Sequence, residues 1–396
     1  MPQLLAWLGF FLSIATILLV SRKNLAVSMF LGALILGIFT LSLEKTAEAF
    51  YSVFTDLPTV LLALAVALIP IIGGTLKTSG QMDDLINNLR IGKKTFLAVS
   101  PALIGMLPMP GGALLSAPLV EKGGKGISNE KKVGLNVWFR HVLYLVYPLS
   151  PSLIVAAKVA KLDVFQVIPY LALLLLFSLI LGYLFFLRDV PGRTEYEEKF
   201  SLKKLLPPFA VIFVAPILDL LLEDRVSPEE VATLIAVVAS LVLAITTGRV
   251  SLRRMYNVTR ESKPWNFALM IFGIMTFLYV FTMSSMPELI AGTEITPEIL
   301  SVVLGFLLGF GTGRIVTPAG VIIPIFLTKF GPISPAVFAI TYFSIFLGYA
   351  LTPVHPCVSL TAEFFKVKIK DFLRVTAPPA LIALVICFFL LFSVNI

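Results

Sequence analysis

Residues 101–120, PALIGMLPMPGGALLSAPLV, are apolar enough to enter a bilayer, yet Pro108, Pro110, Gly111, Gly112 and Pro118 forbid one continuous helix through them. Backbone that stops being helical in hydrocarbon leaves N–H and C=O groups unpaired, at several kcal/mol each. Such a stretch must turn back inside the protein, which predicts a re-entrant hairpin over about 97–120. Residues 309–328, GFGTGRIVTPAGVIIPIFLT, repeat the design, with Gly313, Pro318 and Gly320 where Gly105, Pro110 and Gly112 fall. Two broken apolar segments in matching halves are the sequence pointer to a transporter binding site.

With 58% hydrophobic and only 14% charged residues and a mean hydropathy of +0.97, the chain reads as an all-α polytopic membrane protein and not as a soluble enzyme. The net charge of +8 sits in short loops between apolar runs, so it reads as a topology signal and not as a nucleic-acid surface. Cys357 and Cys387 both lie in apolar sequence, which argues against a disulfide framework. The first run has no basic region before it and no small-residue cleavage site after it, and is expected to be a mature helix.

Runs of about 20 apolar residues, the length that crosses a hydrocarbon core, fall at 4–20, 25–43 and 57–76. After the first hairpin come 135–162, interrupted at YPLSPS, and 164–187. The polar run 188–206 is expected to be a cytoplasmic linker between halves 1–187 and 207–396. The second half gives 207–222, 230–247, 265–283, a hairpin at about 300–328, 334–365 interrupted at TPVHPC, and 376–393. MDDLI at 82–86 is echoed by MPELI at 286–290, and PLSP at 148–151 by PVHP at 353–356, so the order and the residues both indicate an internal duplication. Five crossings per half would force the second copy upside down, giving two inverted repeats, each with a re-entrant hairpin and a broken helix. Placing the 21–24 loop in the cytoplasm gathers most basic residues there, from Arg22 and Lys23 to Arg140 and from Lys203 to Arg374. The opposite side keeps chiefly Lys45, Lys161, Arg225 and Lys329 among many acids. Both termini are then expected outside.

Four breaks, 108–112, 147–152, 314–320 and 352–357, are expected to converge near the midplane, where half-helix N-termini aim N–H groups at an anion and freed carbonyls hold a cation. Substrate-binding candidates follow from them. Pro110, Gly111, Gly112 and Gly320 shape the tips. Arg314 is either the counter-charge of an anionic substrate, through two parallel hydrogen bonds, or a structural arginine capping hairpin carbonyls. His355 is either a proton-coupling group or a neutral histidine satisfying loop carbonyls, and His141, beside Arg140, is expected at the interface. Ser150, Ser152, Thr317, Thr352 and Ser359 offer hydroxyls to a substrate or, near Gly111, Ser150, Thr317 and Thr352, to a sodium ion; helix capping is the plainer role for each. Tyr147 either closes over a substrate or, as the plainer role, packs as an aromatic, and Lys158 and Glu363, in equivalent places, are gate charges or surface charges. None of the breaks holds an acid, which favours an anion over a cation as cargo. No H-E-x-x-H, G-x-S-x-G or Walker A pattern is present, so no enzyme and no resident cofactor is expected, only a coupling Na+ or H+.

The LPMPGGALLSAP stretch with GTGR and TPAG resembles an uncharacterised family of archaeal and bacterial integral membrane proteins in the ion transporter superfamily of secondary carriers. The resemblance implies a homodimer in which a scaffold part holds still while a transport part, made of the hairpins and broken helices, moves as an elevator. Dicarboxylate symporters of that superfamily carry Ser-Asn-Thr at both tips, where this chain has Pro-Met-Pro-Gly-Gly and Val-Thr-Pro-Ala-Gly. The resemblance therefore implies the machine, and neither dicarboxylate specificity nor sodium coupling. The expected function is secondary active transport of a small, organic anion across a prokaryotic cytoplasmic membrane, with a lipid-phosphate translocase or an anion channel as alternatives.

Overall fold

The computed structural model describes residues 3–21, 23–106, 112–192 and 200–394, and every regular element among them is helical. The first half runs α1 (Gln3–Ser21), α2 (Leu25–Thr40), α3 (Leu43–Thr55), α4 (Leu57–Thr78), α5 (Gln81–Asn87), α6 (Lys93–Met106), α7 (Gly112–Gly123), α8 (Asn129–Val142), α9 (Pro151–Ala160) and α10 (Val164–Gly182). The second runs α11 (Leu202–Leu222), α12 (Glu230–Gly248), α13 (Leu252–Ser262), α14 (Pro264–Met283), α15 (Met286–Ala291), α16 (Gly305–Thr312), α17 (Val316–Phe330), α18 (Pro335–Leu351), α19 (Pro356–Phe364) and α20 (Ile369–Ser393). Each helix of the first half thus has a counterpart in the second, offset by about 205 residues, as Pro151 is from Pro356 (356 − 151 = 205).

Local chemistry sets many of the starts. Asn24, Asp56, Ser128, Ser150, Asp163 and Ser334 each accept a hydrogen bond from a backbone N–H of the first turn that follows, a cap worth about 1 kcal/mol. Pro151, Pro335 and Pro356 stand at the first helical position, where a missing N–H costs nothing. Among the described residues eight helices, counting α18 with α19 as one, are long and apolar enough to cross a membrane; α2, at 16 residues, is shorter.

The expected boundaries need four corrections. α3 and α13 fall where loops were expected; their polar residues recur on one face, so no 20-residue apolar run reveals them. α11 begins at Leu202, so Lys203 and Lys204 belong to its first turn and not to the linker. The basic stretch around Lys370, which lies before the expected last span at 376–393, is the opening of α20, continuous with it through Pro378 and Pro379. Finally, the counterpart of Gly105 is Gly309 rather than Gly313: a Cβ on Gly105 would stand 1.6 Å from the Arg140 carbonyl oxygen, and one on Gly309 2.3 Å from that of Ile345. Each lets the descending hairpin arm touch the backbone of the helix behind it.

The helices pack as two groups. α1, α2, α4, α11, α12 and α14 contact one another, and α6–α10 with α16–α20 form the other. Contacts are exchanged between halves in pairs: α12 lies on α4 and α14 on α2; α7 on α19 and α17 on α9; α10 on α18 and α20 on α8. α18 is at the centre, with Phe338, Tyr342 and Phe343 fully buried. α10 and α20 instead turn Leu173, Phe389 and Phe392 outward, as lipid-facing helices do.

Candidate functional site

The first broken helix ends α8 at Val142, passes through a 3-10 turn at Leu143–Leu145, and restarts as α9 at Pro151. The second stops at Leu351 and restarts at Pro356. Between α16 and α17, Gly313 has φ +63, a left-handed turn that glycine adopts without strain. A Cβ there would come within 3.0 Å of the His355 amide nitrogen, so the second tip lies directly on the second break.

A cavity of about 270 Å³ opens where these segments meet, room for roughly nine waters at about 30 Å³ each. Its polar wall is built from the second tip (Thr312, Arg314), the second break with Tyr349 and His355, and the first break with Tyr144 and Ser152. The opposite wall is apolar and comes from the other helix group: Leu25 of α2, Phe267 and Met270 of α14. The cavity therefore lies on the seam between the two groups.

Arg314 reaches across that seam, its Nε donating to the Ser21 carbonyl at 2.9 Å. No carboxylate pairs with it among the described residues, and its guanidinium is half-buried in the cavity wall. A guanidinium without a carboxylate partner can take an anion through two parallel hydrogen bonds. In the same polar wall, Ser152 hydrogen-bonds to the Tyr144 hydroxyl at 3.4 Å.

Of the sequence candidates, the cavity gathers Ser152, Arg314 and His355. Ser150, Thr317 and Thr352 are fully buried nearby but are not among its lining residues. Ser150 caps α9, accepting from the Leu153 amide at 3.4 Å. Thr352 caps the second break, accepting from the Val354 amide at 3.2 Å. Thr317 is different, because its buried hydroxyl has no hydrogen-bond partner among the described residues. Gly320 faces α2 and α14, 3.5 Å from the Met29 side chain at its Cβ position. Ser359 is exposed and donates to the Pro353 carbonyl at 2.7 Å. Pro110 and Gly111, with Pro108, lie outside the described residues. Tyr147 packs as expected and also tethers the first break to α11, donating to the Ile212 carbonyl at 3.2 Å.

Two expectations are overturned. Arg140, expected among the cytoplasmic charges, is 5% exposed, and its Nη1 donates to the Gly112 carbonyl at 2.9 Å, where α7 begins. His141, expected at the interface, is equally buried, with Nε2 3.1 Å from Nε2 of His355. Sequence reasoning missed both because a charge near the end of a helix looks interfacial; that α8 ends inside the protein is decided by what packs on it. The signal available was the break at 147–152, which puts the preceding residues at depth.

Lys158 of α9 also bridges the groups. It pairs with Glu229 at 3.3 Å and with the buried Glu230 of α12. Its sequence counterpart Glu363 is exposed.

Continuous apolar helices, two broken ones and a charged cavity at their junction make this a polytopic α-helical membrane protein, folded like a known transporter. The chain belongs to the family described as "Protein of unknown function (DUF401)", which residues 4–394 match. Its structure is similar to that of the YdaH transporter of Alcanivorax borkumensis, with a TM-score of 0.65 over 97% of each chain and 13% sequence identity. At that identity the likeness is one of fold. No curated protein matches the chain in sequence.

Proposed function

We propose that the protein is a secondary active transporter of a small anion, most naturally an organic one, coupled to Na+ or H+. The observation that carries this reading is Arg314: a cation without an acidic partner among the described residues, set in the wall of a cavity between two helix groups. A cavity on a seam is where alternating access needs its site, since sliding one group past the other exposes the same pocket to each side in turn. In this reading α6–α10 and α16–α20 travel and α1, α2, α4, α11, α12 and α14 hold still, in an elevator-type movement. The exchanged contacts between halves support two inverted repeats, divided near 188–206, each with one hairpin and one broken helix. Sodium, if it is the coupling ion, has Thr317 as its first candidate, whose buried oxygen is unpartnered among the described residues. We place the chain in a prokaryotic cytoplasmic membrane as a homodimer with both termini outside, following the loop charges and the ion transporter superfamily resemblance.

The test is thermal stability of the detergent-purified protein against carboxylates, sugar acids, phosphates and inorganic anions, with and without sodium. A ligand at a hundred times its dissociation constant adds about 2.7 kcal/mol. A stabilising anion whose effect disappears in Arg314→Gln, followed by saturable uptake into vesicles, supports the reading. Retention of the full effect in Arg314→Gln refutes the arginine's role. Large single-channel currents would replace the carrier with an anion channel, and stabilisation only by lipid phosphates would replace it with a lipid-phosphate translocase.

A further inference from the structure

The pair His141–His355 has a third member. Cys357 follows two residues after His355, and one ligand atom from each of the three lies within 4.8 Å of the others. The group is assembled from the end of α8 and the start of α19, 214 residues apart at the histidines. Those helices are fastened together one to two turns away, where Asn136 Nδ2 donates to Thr361 Oγ1 at 3.0 Å.

The histidine tautomers are set by geometry. Nδ1 of His141 lies 2.6 Å from the Val137 carbonyl oxygen, which only accepts, so Nδ1 carries the proton and donates. Its Nε2 therefore presents a lone pair toward His355. A backbone carbonyl holding the far nitrogen is the arrangement by which proteins orient a metal-ligating imidazole. Two nitrogens bound at about 2.0–2.1 Å to one ion at a tetrahedral or trigonal angle stand roughly 3.3–3.6 Å apart; the two Nε2 atoms are 3.1 Å apart, within a small side-chain rotation of that spacing.

We propose that His141, His355 and Cys357 form a binding site for a soft metal ion, and that the ion is copper(I). Two imidazoles and a thiolate are a soft donor set of the kind copper takes in three-coordinate geometry. The surrounding charge selects the oxidation state. Arg140 adjoins His141 in sequence, and Arg314 lines the same cavity as His355. A monovalent ion with one thiolate and two neutral imidazoles is uncharged, whereas a divalent ion would leave one net positive charge facing two guanidinium groups. Tyr349 packs against both histidines, its ring centroid 4.1 Å from that of His355 and 5.3 Å from that of His141. On binding, the Cys357 thiol releases its proton to solvent, the Sγ–metal bond replaces S–H, and no electron is transferred. The site does not depend on the transport reading, because metal binding is measured without a substrate.

The test is an anaerobic competition titration of the full-length protein in detergent, with copper(I) held by the chromophoric chelator bicinchoninate. The wild type is expected to withdraw one copper per chain. Cys357→Ser and His141→Asn are expected to weaken that binding by more than about tenfold, while Cys387→Ser, which removes the other cysteine, leaves it unchanged. Size-exclusion profiles report folding of each variant, and X-ray absorption on the loaded wild type reads sulfur and nitrogen ligation directly. No stoichiometric uptake by folded wild type, uptake that survives in Cys357→Ser, or a copper shell without sulfur overturns the site. Uptake of zinc(II) in preference to copper(I) overturns the choice of metal.

Discussion

The ion pair between Lys158 and Glu230 links the two helix groups, and the structure fixes how its members should differ. The Lys158 side chain is 32% exposed, Glu230 only 4%, and Glu229, the second partner, 59%. Removing the lysine leaves a carboxylate stranded in a nearly dry site, whereas removing Glu230 frees a flexible ammonium that can extend to water and keep Glu229. A fully buried pair broken on one side costs about 3–5 kcal/mol; with a third of the lysine in solvent, about 2–3 kcal/mol is expected for Lys158→Met. Glu230→Gln should cost about 1 kcal/mol, and Glu229→Gln less, as exposed pairs do. Denaturant titration in mixed micelles, run as a double-mutant cycle, measures each. Glu229→Gln costing as much as Lys158→Met, or no coupling between Lys158 and Glu230, would refute the assignment of the buried pair as the link. If the groups slide during transport, weakening the link should also change the partition between inward- and outward-open forms, read by cysteine accessibility across the seam.

Other substitutions have equally direct readouts. Gly105→Ala puts a methyl against a backbone oxygen that cannot rotate away, so α6 must shift from α8; a loss of about 1–3 kcal/mol is expected, and an unchanged unfolding midpoint would contradict the close approach. Arg140→Met leaves the Gly112 carbonyl without its donor and should cost about 1–3 kcal/mol, whereas Arg314→Gln, on the cavity wall, should alter ligand response far more than stability. Ser150→Ala should lose about 1 kcal/mol as a lost helix cap, with anion response retained; loss of the response at unchanged stability would make Ser150 a ligand instead.

Much of the architecture was legible in the chain because apolar length and helix-breaking residues act locally. Spans of about 20 apolar residues have no other stable state in lipid, and Pro151, Pro356 and Gly313 mark interruptions whatever surrounds them, whereas Pro118, expected to break a helix, lies inside α7. The matching order of helices in the two parts of the chain was legible for the same reason, through echoes such as PLSP and PVHP. The amphipathic α3 and α13 were missed because their apolar faces are narrow and the search was for runs. Arg314 stood out because its neighbours in sequence are apolar, and the structure sets it half-buried in the cavity wall.

What the tertiary structure alone decided is which groups face one another. Arg140 and His141 stand in a stretch of mixed polarity, and nothing in that stretch says that α7 closes over one and α19 brings His355 to the other. The register of the hairpins against their neighbours was likewise set by close approach, with Gly309 and not Gly313 answering Gly105. Sequence by itself determined which segments are helical, apolar and broken, because those are properties of a few consecutive residues. Helix packing decided the cavity, the histidine pair and the bridging lysine, because each depends on contacts between residues tens to hundreds of positions apart.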